Sequence, residues 1–498
     1  MINKLDACVQ LIDNYEKCIN FISNFDLSFF LQKIISVDLI FILIFFITLT
    51  YIFTRNIKNE YVIFKNYILG LNFLLLFSTL YFFPVNLPHG DIWEEYQMIS
   101  NNNSLDYLFS VNWSGHNFLA TRIIFYLINE YLNLNLVYIH IISLFLYCSS
   151  IFIFFKFLDK NNSKYFIVLL PLLFSGKWFN HIFETINFVW VFNFFLTILI
   201  IYYLNLKKNF KIFQISLILF VHILSFAGGY FVLIYLIVYL IFNEKINIKN
   251  KLGILFIFIG ILFLTSLLIP TFSDTNPYLM SEYLDHMSAL KISQIFISFL
   301  GIISSIYLPY VFYKIDILKY FVILLGFIQL TALFIIFINS KINFKKFIIE
   351  NPFLIIGIIS CLIISIARTN HFDQIRYATY SIIFQLGFFI FALKSKDLVY
   401  YFDKFYKSIF FILIFLYSLN LISPHTGIFF SPSRYIVKDK IDKCLINNNL
   451  SQCENLIYDE LFFYGDWFDK DNFSILLNNM SNEKKSFFYD DSKKGGKK

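Results

Sequence analysis

The sequence predicts an all-α polytopic membrane protein with about 11 to 13 transmembrane helices. Three observations lead there. Of the 498 residues, 58% are hydrophobic and only 15% charged, where a soluble chain of this length would carry about a quarter. The apolar residues fall in runs of roughly 18 or more, enough to cross a bilayer core as helix. Runs such as "LIFILIFFITLTYIF" do not alternate apolar with polar residues, so they do not suit a closed β-barrel, the other spanning architecture.

The expected spans are 34–54, 66–83, 134–155, 165–176, 187–205, 212–226, 229–242, 252–270, 293–313, 319–339, 352–367, 377–393 and 408–422. Charge sorts the loops between them. Short loops rich in Lys and Arg stay cytoplasmic. The stretches 55–65, 156–164, 206–211, 243–251, 340–346 and 394–407 qualify. Thirteen spans conflict with placing both 340–346 and 394–407 inside, so one segment fails to cross. The pair 293–339, with its short "YKIDILK" connector, is the expected irregular element. Residues 84–117 hold four carboxylates and no Lys or Arg, which places that loop outside.

Three regions follow. Residues 1–33 form a non-spanning segment in which no cleavable signal peptide is recognisable. Residues 34–422 form the transmembrane domain, with a catalytic outside loop at 84–133. Residues 423–498 form a short outside tail, whose stretch "DKCLINNNLSQCENLIYDELFFYGDWF" reads as a small helical cap. Cys444 and Cys453 lie in that tail, and Cys8 and Cys18 at the N-terminus. A disulfide in each pair would fit an oxidising compartment. Cys148 and Cys361 lie inside spans, where a thiol serves as a small apolar group.

Three outside clusters carry chemistry. In "LPHGDIWEEYQ" (87–97), Asp91 and Glu94 have the spacing of a helix capping box. The same carboxylates with Glu95, His89 and His116 also make a weak hard-oxygen metal set. Downstream, "NFLATRIIFYLINE" reads as a short interfacial helix with Leu119, Ile123, Leu127 and Ile128 on its apolar face and Arg122 and Asn129 away from it. Arg122 on such a helix either snorkels to headgroups or binds an anion. His116 is either a hydrogen-bonded surface residue or a ligand. The second cluster, "GKWFNHIFETINFVW" (176–190), offers Lys177, His181 and Glu184, against a simple anchoring role for Lys177 and Trp178. The third, "ARTNHFDQIRYATYS" (367–381), sets Arg368, His371, Arg376 and Tyr377 in an outside loop, where arginines break the charge rule. An Asp373–Arg376 ion pair is the plainer explanation; the guanidinium fork also suits phosphate.

Acidic and basic clusters together suit an enzyme that moves a sugar from a lipid phosphate. One group takes a proton from the acceptor hydroxyl, and cations stabilise the departing phosphate. On the stretches "HGDIWEEYQ…GHNFLATRIIFYLI", "FNHIFETINFVWVFNFFL" and "ARTNHFDQIRYATYSIIF" the chain resembles the GT-C superfamily of polytopic glycosyltransferases. The resemblance covers about 80 residues, and in that family the substrates are polyprenyl-phosphate-linked sugars. It implies Asp91 as catalytic base, with Glu94 or Glu95 assisting or, with Asp91, holding a divalent cation such as Mg or Mn. Arg376 and Arg122 would face the lipid phosphate. His116, Lys177, His181, Glu184, Arg368, His371 and Tyr377 would line the substrate site. The implied partners are a polyprenyl-phosphate sugar donor, a glycan or glycolipid acceptor and the bilayer, with no nucleic acid. The implied setting is a bacterial inner membrane with the active site facing the periplasm. A flippase for lipid-linked oligosaccharide and a surface-polysaccharide polymerase are the alternative readings. Against the first stand the absence of a visible repeat and the clustering of ionisable residues at span ends rather than at the midplane.

Overall fold

A computed structural model describes residues 61–88, 92–101, 104–109, 119–157, 169, 172–206, 211–226, 228–268, 289–307, 316–367, 377–394, 412, 430–461 and 470–488. Every regular element among them is helical. In chain order these are α1 (Tyr61–Phe82), α2 (Ile92–Asn101), α3 (Ser104–Phe109), α4 (Leu119–Tyr131), α5 (Val137–Phe157), α6 (Lys177–Phe183), α7 (Phe188–Asn205), α8 (Ile212–Ser225) and α9 (Gly228–Phe242). They continue with α10 (Ile248–Leu268), α11 (Ala289–Ser304), α12 (Asp316–Asn339), α13 (Phe344–Glu350), α14 (Pro352–Ala367), α15 (Ala378–Lys394), α16 (Phe430–Asn447), α17 (Leu450–Leu461) and α18 (Lys470–Asn482).

The chain is an α-helical polytopic membrane protein. Among the described residues five helical stretches are long and apolar enough to cross a bilayer: Val137–Lys156, Phe188–Asn205, Ile248–Leu268, Leu290–Tyr307 and Ile317–Asn339. The bent pair α13–α14 makes a sixth if it counts as one span. The expectation of 11 to 13 exceeds this for two reasons. Segment 34–54, all but one residue of 408–422 and half of 165–176 lie outside the described residues. Helices α8, α9 and α15 have 14, 15 and 17 residues. At about 1.5 Å per residue that is roughly 21–26 Å, short of a hydrocarbon core of about 30 Å.

The irregular element also moves. The pair 293–339 forms two helices that both qualify as spans. They run antiparallel: the Ser304 hydroxyl donates to the Val322 carbonyl at 2.6 Å, and Gly326 packs on the Leu300 carbonyl. The break falls instead at Asn351, where α13 and α14 meet at 92°. Pro352 causes it. Its ring disfavours helical backbone at the residue before it, and Asn351 sits at φ −126°, ψ 57°. Pro352 itself begins α14, where a missing N–H costs nothing.

Two cores result. The larger joins α1 and α5–α15. Its tightest seam lies between α14 and α15, where two glycines let backbones touch. A β-carbon on Gly357 would come within 2.5 Å of Phe384 Cα, and one on Gly387 would strike the Leu354 backbone. Small residues at such seams are how packing alone holds helices together in lipid. Gly387→Ala is therefore expected to lower the thermal midpoint by several degrees, since neither backbone can yield. Gly253→Ala, with nothing within 4 Å, is expected to match or exceed wild type. Equal midpoints for the two variants would refute the close approach.

Lys-rich stretches gather at one end of the bundle. There, Lys345 pairs with Glu244 at 2.7 Å, and Lys394 donates to the Glu350 carbonyl at 2.9 Å. This gathers three of the Lys-rich stretches. At the opposite end stands the second core. It is built from residues 85–139 and Phe188 together with Val437–Phe487 of the tail. The described part of the tail is thus a cap of three helices seated on the 84–133 segment, with Trp93 packed on Phe473 at 5.0 Å. The Cys444–Cys453 disulfide is formed, with Cα atoms 5.8 Å apart, and it ties α16 to α17. Cys8 and Cys18 lie outside the described residues.

Candidate functional site

Helix α2 begins one residue after Asp91. Asp91, His89 and His116 lie outside the described residues, as do Arg368, His371 and Arg376. Glu94 lies on α2. Glu95, one residue on, is buried and faces α4. Arg122 Nε donates to Glu95 Oε2 at 2.9 Å and Nη2 to Oε1 at 3.0 Å. The Tyr107 hydroxyl donates to the same carboxylate at 3.1 Å, and Arg122 Nη1 reaches the Tyr107 carbonyl at 3.4 Å. This two-pronged pair, 2% and 8% exposed, locks α2, α3 and α4 into one unit. Burial, and then the Glu95 charge, push the Tyr107 phenol well above its ordinary value, so it stays protonated and donating.

The pairing corrects two readings of the first cluster. Both oxygens of Glu95 are engaged by Arg122, so Glu95 does not fit as a metal ligand. Among the described residues no three His, Cys, Asp or Glu side chains converge as a metal site requires. The inward face of α4 carries Leu119, Arg122, Phe125, Ile128 and Asn129, while Ile123 and Leu127 are exposed. The helix therefore turns Arg122 and Asn129 inward rather than away. A charge with a buried partner outweighs the apolar stripe in setting the orientation.

The second cluster sits where α6 meets the ends of α7, α11 and α16. Lys177 is buried and donates to the Ser305 carbonyl, joining α6 to the end of α11. Glu184 is bound by Arg434 of the cap at 2.5 Å, with exposures of 8% and 7%. Beside it, Thr185 lies 3.4 Å from His140 Nε2, and Asn187 donates to Asn180 at 2.6 Å. His181 is fully buried, and both its ring nitrogens lack a hydrogen-bond partner among the described residues. Burial, and then the Lys177 ammonium, hold its pKa down to about 3. Its imidazole is therefore neutral, with one donor and one acceptor nitrogen.

Of the third cluster, Tyr377 is described and buried, at the head of α15. Three residues on, Tyr380 packs edge-on against Trp190 at 5.8 Å. Phe188, two residues before Trp190, belongs to the same core as Trp93 and Tyr96 of α2. The first turns of α7 therefore touch the helix following Arg376, and the cap links this region to the helix following Asp91, since Phe473 packs on Trp93 and Arg434 pairs with Glu184. Sequence reading missed Arg434, Tyr107, Asn193 and Tyr380. Asn193 inside an apolar span was a legible signal; nothing around Arg434 marked it.

Comparison of the chain with protein-family models, curated proteins and solved structures finds no match.

Proposed function

We propose that the protein is a membrane glycosyltransferase that moves a sugar from a polyprenyl-phosphate donor to a lipid-linked or cell-surface glycan, acting on the periplasmic face of a bacterial inner membrane. The observation that carries this reading is the meeting of the three outside clusters at one end of the bundle. Helix α6 and the head of α15 both meet the first turns of α7, and the cap joins them to α2 through Phe473 on Trp93 and Arg434 on Glu184. Sites at the ends of spans suit a lipid-borne substrate whose reacting bond lies at the membrane surface.

In this mechanism Asp91 takes the proton of the acceptor hydroxyl. The oxygen attacks the anomeric carbon, and the bond from that carbon to the phosphate oxygen breaks. The electron pair leaves with polyprenyl phosphate, whose charge Arg376 and Arg368 stabilise. Glu95 and Arg122 hold the scaffold rather than react, which leaves Asp91 and Glu94 as the carboxylates of the site. If a divalent cation takes part, these two would hold it and it would supply charge stabilisation.

Asp91→Asn is expected to cut transfer by about a hundredfold to ten-thousandfold, with insertion and thermal midpoint unchanged. Transfer of radiolabelled sugar from donor lipid in proteoliposomes measures it. Near wild-type transfer by the variant would remove Asp91 from the mechanism. Flux of lipid-linked glycan with no new glycosidic bond would replace the enzyme by a flippase.

A further inference from the structure

Five polar atoms at the junction of α6, α7 and α15 are closed off and lack hydrogen-bond partners among the described residues: both nitrogens of His181, Trp178 Nε1, Asn193 Oδ1 and the Tyr380 hydroxyl. All four side chains are at most 3% exposed. Each such atom costs about 1–3 kcal/mol, and folded proteins leave few of them. Five of them belong to four side chains gathered at this one junction.

Trp178, His181 and Tyr380 belong, with Trp190, to one string of rings. Trp178 lies 5.6 Å from His181, His181 lies 6.5 Å from Trp190, and Trp190 lies 5.8 Å from Tyr380. At the far end, the Tyr380 hydroxyl and Asn193 Oδ1 lie 2.8 and 3.1 Å from the point a β-carbon on Gly228 would occupy. The amide nitrogen of Asn193 donates to the Val189 carbonyl at 2.7 Å, which leaves its oxygen to accept. With a neutral His181, the cluster offers three donors and two acceptors. None of the five atoms carries a charge.

We propose that this cluster is a pocket for a neutral polyhydroxylated ring, the glycosyl unit of the donor lipid, held by His181, Trp178, Asn193 and Tyr380. Hydroxyl groups both donate and accept, so one ring can satisfy such a mixed set. Its C–H faces suit the tryptophan rings that line it. That the ring is a donor sugar rests on the glycosyltransferase reading; the pocket itself does not. None of the five atoms touches solvent, so access requires these helix ends to part.

The test uses the full chain in lipid nanodiscs. Methyl glycosides of hexoses, N-acetylhexosamines and pentoses at millimolar concentration are the probes, read by saturation-transfer NMR and tryptophan fluorescence, with glycerol as control. At least one glycoside is expected to bind. His181→Phe and Tyr380→Phe keep the rings and delete the unpaired atoms. Each is expected to weaken binding by about tenfold or more and to leave the thermal midpoint unchanged or raised. A water-filled structural cluster predicts the opposite: both variants melt lower. That outcome, binding that survives both variants, or no binding of any glycoside, overturns the pocket. A protein that binds a glycoside but transfers none keeps the pocket and loses the enzyme. Transfer with unaltered donor KM in both variants keeps the enzyme and loses the pocket.

Discussion

Arg122→Ala is expected to destabilise the capped end of the molecule by about 3–5 kcal/mol, the usual result of stranding one member of a buried ion pair. Both oxygens of Glu95 would lose their guanidinium partner, and α2, α3 and α4 would lose their common tie. Hydrogen exchange across α2–α4 and α16–α18 should rise together, because these helices share one core. The double variant Glu95→Met, Arg122→Met is expected to recover most of the loss, since apolar residues often replace a buried pair at little cost. It should fall short by about 1 kcal/mol for the acceptor Tyr107 loses. The double variant also separates two roles for Glu95. If Glu95 only holds the scaffold, the double variant transfers sugar. If it is stable and inactive, Glu95 belongs to the chemistry after all. A single Arg122→Ala variant that melts with wild type would dismiss the pair as a structural tie.

Arg434→Ala is the second large effect. Arg434 reaches from α16 of the cap to Glu184, between α6 and α7, and both side chains are nearly buried. Its removal strands the Glu184 carboxylate, again at about 3–5 kcal/mol, and loosens the cap from the second cluster. Limited proteolysis should then cleave the α16–α18 region while the spans remain intact. Because Cys453 is fully buried within that cap, the Cys444–Cys453 bond should also be reduced faster by added thiol. Arg434→Lys is expected to rescue only part of the loss, since an ammonium lacks the planar fork of donors. Proteolysis and reduction at wild-type rates would show that the cap docks without this pair. The sequence implies a substrate contact for Glu184; the pair gives it a second duty, and a variant with a docked cap but lost transfer would point back to the first.

The helix that carries Asn193 and the loop that carries no Lys or Arg were both legible from composition alone. So were the tail's helical character and the spacing of Cys444 and Cys453. The face of α4 was not. Its apolar stripe assigns Leu119, Ile123, Leu127 and Ile128 to one side, whereas the protein buries Arg122 and exposes Ile123 and Leu127. Periodicity counts apolar residues and cannot see that a partner 27 residues away will neutralise an arginine. The kink at Asn351 was readable in principle, because Pro352 disfavours a continuous helix there; the charge rule asked for one irregular segment without locating it, and the short "YKIDILK" connector pointed to a different pair.

By itself, then, the sequence determined the class of the molecule and set the expectation that its loops sort to two sides. Both follow from the cost of placing charge and unpaired backbone in hydrocarbon, which is a local property of each segment. Only the tertiary structure decided which charges are spent on each other. Glu95 with Arg122 and Glu184 with Arg434 are pairs made across loops, and pairing depends on distance in space, which no spacing along the chain encodes. The same holds for His181, Asn193 and Tyr380. Their polar atoms are unremarkable in sequence and stand out only because folding buries them at one junction with no hydrogen-bond partner among the described residues.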